Sequence, residues 1–323
     1  MSSFLMSTRL RLPNGCTIQG NRFILSEEIE KNIININGDD LVITNIIEKG
    51  GNSYILLLSK ISEDIVDSVP SLVMKICKFY YYENTRLKRF NYEIAVLTDC
   101  KKKNIQNIIE IFDSGEVIIK KRPSSKSPLR EFSYKYYLME YAEQDLTNLI
   151  ENKRLELIDK IELCITITKA FIKLHSLKYF HRDIKSDNIL FCNGNLKIGD
   201  LGLAAHQDEE KSIDIENEKI GPYGWLSPEV MNKVLTEKKK LEFSFDCKID
   251  FKSDIFQLGK MFWYVFQSNL PIGNLHESDF EIKDNELFVL INNMLKYSKQ
   301  NRPELLDIER VLLSIHAKHS IPK

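Results

Sequence analysis

A change of hydrophobic period near Asp145, in a chain of 323 residues, constrains the fold more than any other feature. Before it, β-branched and apolar runs at 41–47, 54–58 and 72–77 are separated by turn residues, the signature of strands in an antiparallel sheet. One helical stripe interrupts them, with Leu87, Phe90, Ile94 and Leu97 at i, i+3, i+7 and i+10. Two further strands are expected around 108–112 and 136–140, separated by a Lys/Ser/Pro-rich loop at 120–128. Beyond Asp145 helices dominate, beginning with a long segment at 157–174. This order predicts an α+β chain of two lobes, the first an antiparallel sheet plus one helix and the second mostly helical. The boundaries fall at 1–40 for an N-terminal extension, 41–142 for the first lobe and 143–323 for the second. In the extension, Gly15, Gly20 and Gly38 stand among short apolar runs. That pattern fits extra strands that lengthen the sheet, with docking of a partner as the other reading.

Composition narrows the class. Hydrophobic residues make up 43% and charged residues 28%, as in soluble globular proteins. A net charge of -1 argues against nucleic-acid binding or a membrane-surface footprint, so short runs such as Lys101–Lys103 are expected to be solvated. Cys16, Cys77, Cys100, Cys164, Cys192 and Cys247 show no CxxC spacing, which fits reduced, buried thiols in a cytoplasmic protein. The N-terminus lacks signal-peptide character, and the richest apolar stretch, Met261–Phe266, is far below bilayer length, so no membrane span is expected.

The chemistry concentrates in His181-Arg182-Asp183-Ile184-Lys185-Ser186-Asp187-Asn188, followed twelve residues later by Asp200-Leu201-Gly202. Phosphoryl transfer needs a carboxylate to accept a hydroxyl proton, a cation near the migrating phosphate and oxygen ligands for Mg2+. Asp183, Lys185 and the pair Asn188 and Asp200 have the side chains for those roles, in that order.

These residues and spacings resemble the catalytic and metal-binding loops of eukaryotic-type (Hanks-type) serine/threonine protein kinases, and the resemblance extends over residues 41–315. It implies a kinase that uses ATP and Mg2+, with the nucleotide between the lobes and a protein Ser or Thr hydroxyl as acceptor. Asp183 and Lys185 would be catalytic, and Asn188 and Asp200 would hold the metal. Strand alternation puts Val73 and Lys75 on one face, matching the family's phosphate-binding Lys. Glu93 stands where the family has its orienting Glu, with Glu83 as rival. The family's glycine-rich loop corresponds to Glu48–Ile55, where only Gly50 matches a family glycine; Gly50, Gly51, Ser53 and Ile55 would cover the nucleotide. Met139, Glu140 and Tyr141 resemble the hinge, and Leu190 joins the nucleotide contacts by the same resemblance.

Further on, Ser227-Pro228-Glu229 resembles the family's Ala-Pro-Glu. Glu229 would then pair with Arg302, and Asp254 would hold the catalytic loop. Three departures stand out. Pro222 replaces the usual Thr, residues 271–285 are short, and 229–254 is long, with an exposed loop expected at the charged Thr236–Lys240 run. Ser212 is the only hydroxyl between Gly202 and Gly221, so either its phosphate or a neighbouring acidic side chain is expected to neutralise Arg182. Two other classes stay open: a pseudokinase acting as a nucleotide-binding interaction module, and a small-molecule phosphotransferase of related fold.

Overall fold

The computed structural model describes residues 8–47, 51–62, 65–80, 84–208, 221–239 and 245–320. The chain forms two compact units: residues 1–102 with 109–141, and residues 103–108 with 142–323.

The first unit holds strands β1 (Thr8–Arg11), β2 (Thr17–Gln19), β3 (Arg22–Ile24), β4 (Ile33–Ile36), β5 (Asp39–Ile47), β6 (Ser53–Ser62), β7 (Ile65–Val66) and β8 (Leu72–Cys77). Helix α1 (Thr85–Lys102) follows, then β9 (Ile111–Arg122) and β10 (Arg130–Glu140). The strand order is β3-β2-β9-β10-β8-β6-β5-β4, with β7 on β6 and β1 on β9. Pairing is antiparallel from β9 through β4, while β1 and β2 add to β9 in parallel. The sheet curls, since Phe23 in the terminal strand β3 meets Tyr54 in β6 with ring centroids 5.6 Å apart.

Alternation along the central strands divides the sheet into two faces. Tyr54, Leu56, Met74, Ile76, Tyr136 and Leu138 point into a core shared with Leu12, Cys16, Ile18, Phe23, Ile34 and Ile36. Residues of the N-terminal segment therefore supply part of the hydrophobic core of this unit. Removing one large member leaves a cavity, so Phe23→Ala is expected to cost about 3 kcal/mol, measured as a lower denaturant midpoint. A loss below about 1 kcal/mol would contradict the burial account.

Two local expectations change. The strand foreseen at 108–112 begins at Ile111 and runs to Arg122, because the alternation continues through Asp113, a buried carboxylate that accepts from the Tyr136 hydroxyl at 2.8 Å. Ile108 instead bridges to Ile198 in the second unit. On α1 the buried residues are Leu87, Phe90, Glu93, Val96, Leu97 and Cys100, with Ile94 only half-buried, so a carboxylate lies within the buried face.

The second unit comprises β11 (Gln144–Asp145), α2 (Leu146–Asn152), α3 (Leu157–Ser176), β12 (Tyr179–Phe180), β13 (Ile189–Cys192), β14 (Asn195–Ile198) and β15 (Ala205–His206). Helices α4 (Pro228–Lys239), α5 (Phe251–Gln267), α6 (Asn285–Met294) and α7 (Leu305–Ser320) complete it. Capping boxes start α3 (Glu156 with Asp159) and α5 (Asp250 with Ser253). Helix α3 packs against α5 and α7, with Ile161, Cys164, Ile167, Ala170, Phe171 and Leu174 fully buried. Gly259 permits close contact with the end of α6, because a Cβ there would lie 2.9 Å from the Met294 Cβ.

The exposed loop expected at Thr236–Lys240 is instead helical through Lys239. Pro228 opens that helix at a position where its missing N–H costs no bond. All six cysteines are free, and burial pushes the Cys16 and Cys100 thiols up to about 12.

Candidate active site

In the second unit, two loops carry the chemical residues. The first, 181–188, leaves β12 and enters β13; the second, 199–204, leaves β14 and enters β15. Because β12 pairs with β15, and β13 with β14, both ends of the loops are tied together. Asp254 of α5 holds the first loop and is fully buried. Its Oδ2 accepts from the His181 N–H at 2.7 Å and bonds His175 Nε2 at 2.9 Å, while Oδ1 accepts from the Arg182 N–H at 2.9 Å. One turn along, Gln257 donates to the Arg182 carbonyl at 3.3 Å and accepts from the Ile184 N–H at 3.2 Å. These bonds hold Arg182 at φ 68, a left-handed conformation that costs a side-chain-bearing residue energy unless its surroundings impose it.

His181 joins the loops. Its Nδ1 accepts from the Asp183 N–H at 3.2 Å, which leaves Nε2 to donate to the Gly199 carbonyl at 3.0 Å. Gly199 also donates to the Asn188 carbonyl at 2.8 Å, and a Cβ on it would fall 2.6 Å from Leu190 Cδ1. Leu190, on β13, is half-buried there. Asp200 follows at φ 51 with its side chain exposed, and Leu201 is fully buried.

The Asn188 amide donates to the Asp183 carbonyl at 2.7 Å and to Asp183 Oδ2 at 3.0 Å. Burial, with the nearby Asp200 charge second, raises the Asp183 pKa above its ordinary 3.8; His181, Lys185 and Asn188 oppose the shift. Lys185 Nζ lies 3.6 Å from Asp187, whose carboxylate also accepts from Thr147 at 2.8 Å. Among the described residues, no group of three or more His, Cys, Asp or Glu could hold a metal by itself. The Asn188 amide oxygen and the Asp200 carboxylate are hard oxygen donors beside a second carboxylate that a cation would relieve. That set suits Mg2+, which completes its shell with water and substrate phosphate oxygens.

In the first unit, strand register groups another set. Ile55 and Tyr137 flank Lys75, and Leu57 and Met139 flank Val73, which puts all six on one face of three neighbouring strands. Lys75 Nζ contacts the Glu93 carboxylate at 2.8 and 3.1 Å. Glu93, on α1, is only 2% exposed and also accepts from the Tyr137 hydroxyl at 3.0 Å. At the end of β10, the Glu140 N–H donates to the Glu110 carbonyl at 3.1 Å, and Met139 and Tyr141 are half-buried. Gly51 is exposed and Ser53 buried, while Gly50, Glu83 and Ser212 lie outside the described residues.

A third cluster supports the second unit. Glu229 and Arg302 form a buried pair, Nη2 to Oε1 at 2.6 Å. Pro222 is half-buried and its carbonyl accepts from the Trp225 N–H at 3.2 Å.

The protein kinase domain family matches residues 64–318, most of the chain and all of these clusters except the strand that carries Ile55 and Leu57. The chain belongs to the protein kinase family. It is similar to the serine/threonine-protein kinase CLA4 of Candida albicans, at 29% identity over 221 residues, 66% of this chain and 18% of that protein. It is also 28% identical to a probable myosin light chain kinase of Dictyostelium discoideum over 213 residues, 65% of this chain and 39% of the relative. An inactive serine/threonine-protein kinase/endoribonuclease IRE1-like protein of Arabidopsis thaliana is 29% identical over 174 residues, 49% of this chain and 30% of the relative. The chain thus spans well under half the length of these relatives.

Sequence reading of this kinase chain missed four residues that the structure brings to the clusters. Tyr137 and Leu57 could have been found by continuing the alternation that selects Lys75 and Val73 across neighbouring strands. Gln257 stands three residues after Asp254, hence on the same face of α5. His175 carried no local signal, since it reaches Asp254 from a different helix.

Proposed function

We propose that this protein kinase transfers the γ-phosphoryl group of ATP to Ser and Thr hydroxyls of proteins, its own included. The observation that carries the reading is the Asp183 carboxylate. It is held by Asn188, it stands beside Asp200, and its proton affinity is raised by burial. Such a group can orient an acceptor hydroxyl and take its proton as oxygen bonds to phosphorus. Lys185 would neutralise charge on the transferring group. Lys75, held by Glu93, would contact the α and β phosphates, with Ile55, Val73, Met139, Glu140, Tyr141 and Leu190 against the nucleoside and Gly50, Gly51 and Ser53 over the phosphates. Asn188 and Asp200 would hold Mg2+, which when bound supplies positive charge to the phosphate oxygens.

Acceptor preference rests on Lys185, two residues after Asp183, as in serine/threonine kinases. The test is incubation with labelled ATP, Mg2+ and a generic acceptor protein, followed by phosphoamino-acid analysis. Phosphoserine or phosphothreonine that disappears in Asp183→Asn is the expected result; label confined to tyrosine would overturn the acceptor assignment. A second reading, a nucleotide-binding interaction module, is favoured by the inactive relative and by the single family glycine near Gly50. Saturable ATP binding with no Asp183-dependent label on any protein would select it. A cytoplasmic site of action is part of the same proposal, supported by the six free cysteines; among the described residues no helix is long and apolar enough to cross a membrane.

A further inference from the structure

We propose that Tyr137 is a positioning residue for phosphate binding, acting through the Lys75–Glu93 pair; this rests on the kinase reading above. Three observations place it there. Tyr137 lies directly across from Lys75 in the antiparallel pairing of β10 with β8, so the two side chains leave the sheet on the same face. Its hydroxyl donates to Glu93 Oε1 at 3.0 Å, the oxygen that Lys75 Nζ approaches at 2.8 Å. Its ring packs on Phe90, one helical turn before Glu93, with centroids 5.4 Å apart, and Lys75 Nζ lies 5.6 Å from the ring centroid.

The physical consequence follows from burial. Glu93 is 2% exposed, so internal donors take the place of water at its carboxylate. Rotation of the carboxylate about its last bond would carry the ammonium with it, and each donor restrains that rotation. The Tyr137 hydroxyl, rigid because its ring is packed, helps to fix the carboxylate plane. The ring also bounds Nζ on one side, through its negative face. Lys75 is then held where a phosphate oxygen can reach it before any nucleotide arrives. The sequence signal is a Tyr two residues before Met139, on the strand face that alternation gives to Met139.

The test uses the full chain and Tyr137→Phe, which keeps the ring and removes only the hydroxyl; Tyr137→Met serves as a second hydroxyl-free variant. The first readout needs no activity. Acylation of Lys75 by an N-hydroxysuccinimide ester, followed by mass spectrometry without nucleotide, is expected to run several-fold faster in both variants, with Lys78 as an unchanged internal reference. The second readout is kinetic. Losing a hydrogen bond to a charged group should raise KM for ATP roughly tenfold while kcat stays within about threefold. In a Glu93→Gln background, Tyr137→Phe should add little to either measurement, since the group it orients has changed.

An unchanged Lys75 acylation rate overturns the inference, as does a full additional effect in the Glu93→Gln background. A purely structural role would lower the melting temperature without the KM-against-kcat split, and that outcome also overturns it. Absence of Asp183-dependent label in the parent chain would instead sink the kinase reading, and the acylation result would still decide the contact.

Discussion

Asp183→Asn is expected to lower kcat by about 10²–10⁴-fold, the range for removing a positioned general base, and at the same time to raise the melting temperature at neutral pH. The two effects have one cause. Burial first, and the Asp200 charge second, raise the Asp183 pKa above 3.8 in the folded state, so the ionised carboxylate is held at a cost. Between the ordinary value and the raised one, the folded chain binds more protons than the unfolded chain. Stability therefore falls as pH rises through that window, and the cost is fully present above it.

Asn carries no charge and keeps an oxygen for the Asn188 amide, so it relieves the repulsion without opening a cavity. Melting curves at pH 7.5 and near pH 4 should show the gain narrowing toward acid. Catalysis follows the same group with the opposite sign. The base must be unprotonated, so the acid limb of kcat/KM should lie above the ordinary carboxylate range. A variant that melts below the parent at neutral pH would refute the repulsion account, whatever its activity.

Breaking the Glu229–Arg302 pair is expected to produce the largest loss of stability in the second unit. The guanidinium has five N–H donors, and the structure supplies five acceptors. Nε donates to the Lys296 carbonyl at 2.8 Å; Nη1 reaches the Lys252 carbonyl at 2.7 Å and Glu229 Oε2 at 3.3 Å. Nη2 reaches Glu229 Oε1 at 2.6 Å and the Tyr297 carbonyl at 2.9 Å. The group also stacks on Phe256, 5.0 Å from the ring centroid.

Arg302→Met keeps much of the apolar stem but strands a buried carboxylate and three carbonyls, at a cost of about 3–5 kcal/mol. Arg302→Lys should recover only part of this, because an ammonium cannot match the planar fork. Glu229→Gln combined with Arg302→Met should cost less than the sum of the single changes, since the stranded charge is gone. Denaturant midpoints of the four proteins decide it. A single-variant loss under about 1 kcal/mol would mean that the pair behaves like an exposed one.

The legible parts of this chain were those written at short range. Strand alternation at 72–77 matched β8 residue for residue, and the apolar stripe starting at Leu87 lay inside α1. The pattern failed where polar residues continue a regular element. Asp113 hid the true extent of β9, and the charges after Leu235 disguised the last turn of α4 as a loop. At Asp113 the local composition reported polarity, while the neighbouring strand satisfied it through the Tyr136 hydroxyl. The residues that brace the loops were still less visible. Asp254 contacts His181 and Arg182 from more than seventy residues away, and nothing within either segment specifies the other.

By itself, the sequence determined which chemical groups are present, their offsets within a loop or strand, and therefore membership of the kinase family. Such offsets survive because backbone geometry converts a fixed spacing into a fixed face or turn. Tertiary structure alone decided that Arg182 and Asp200 adopt left-handed backbone, that Tyr137 shares the Glu93 carboxylate with Lys75, and that the N-terminal segment supplies part of the sheet's core. Each depends on a partner distant in the chain, because a strained backbone, a buried charge and an apolar face are each unstable until another element packs against them.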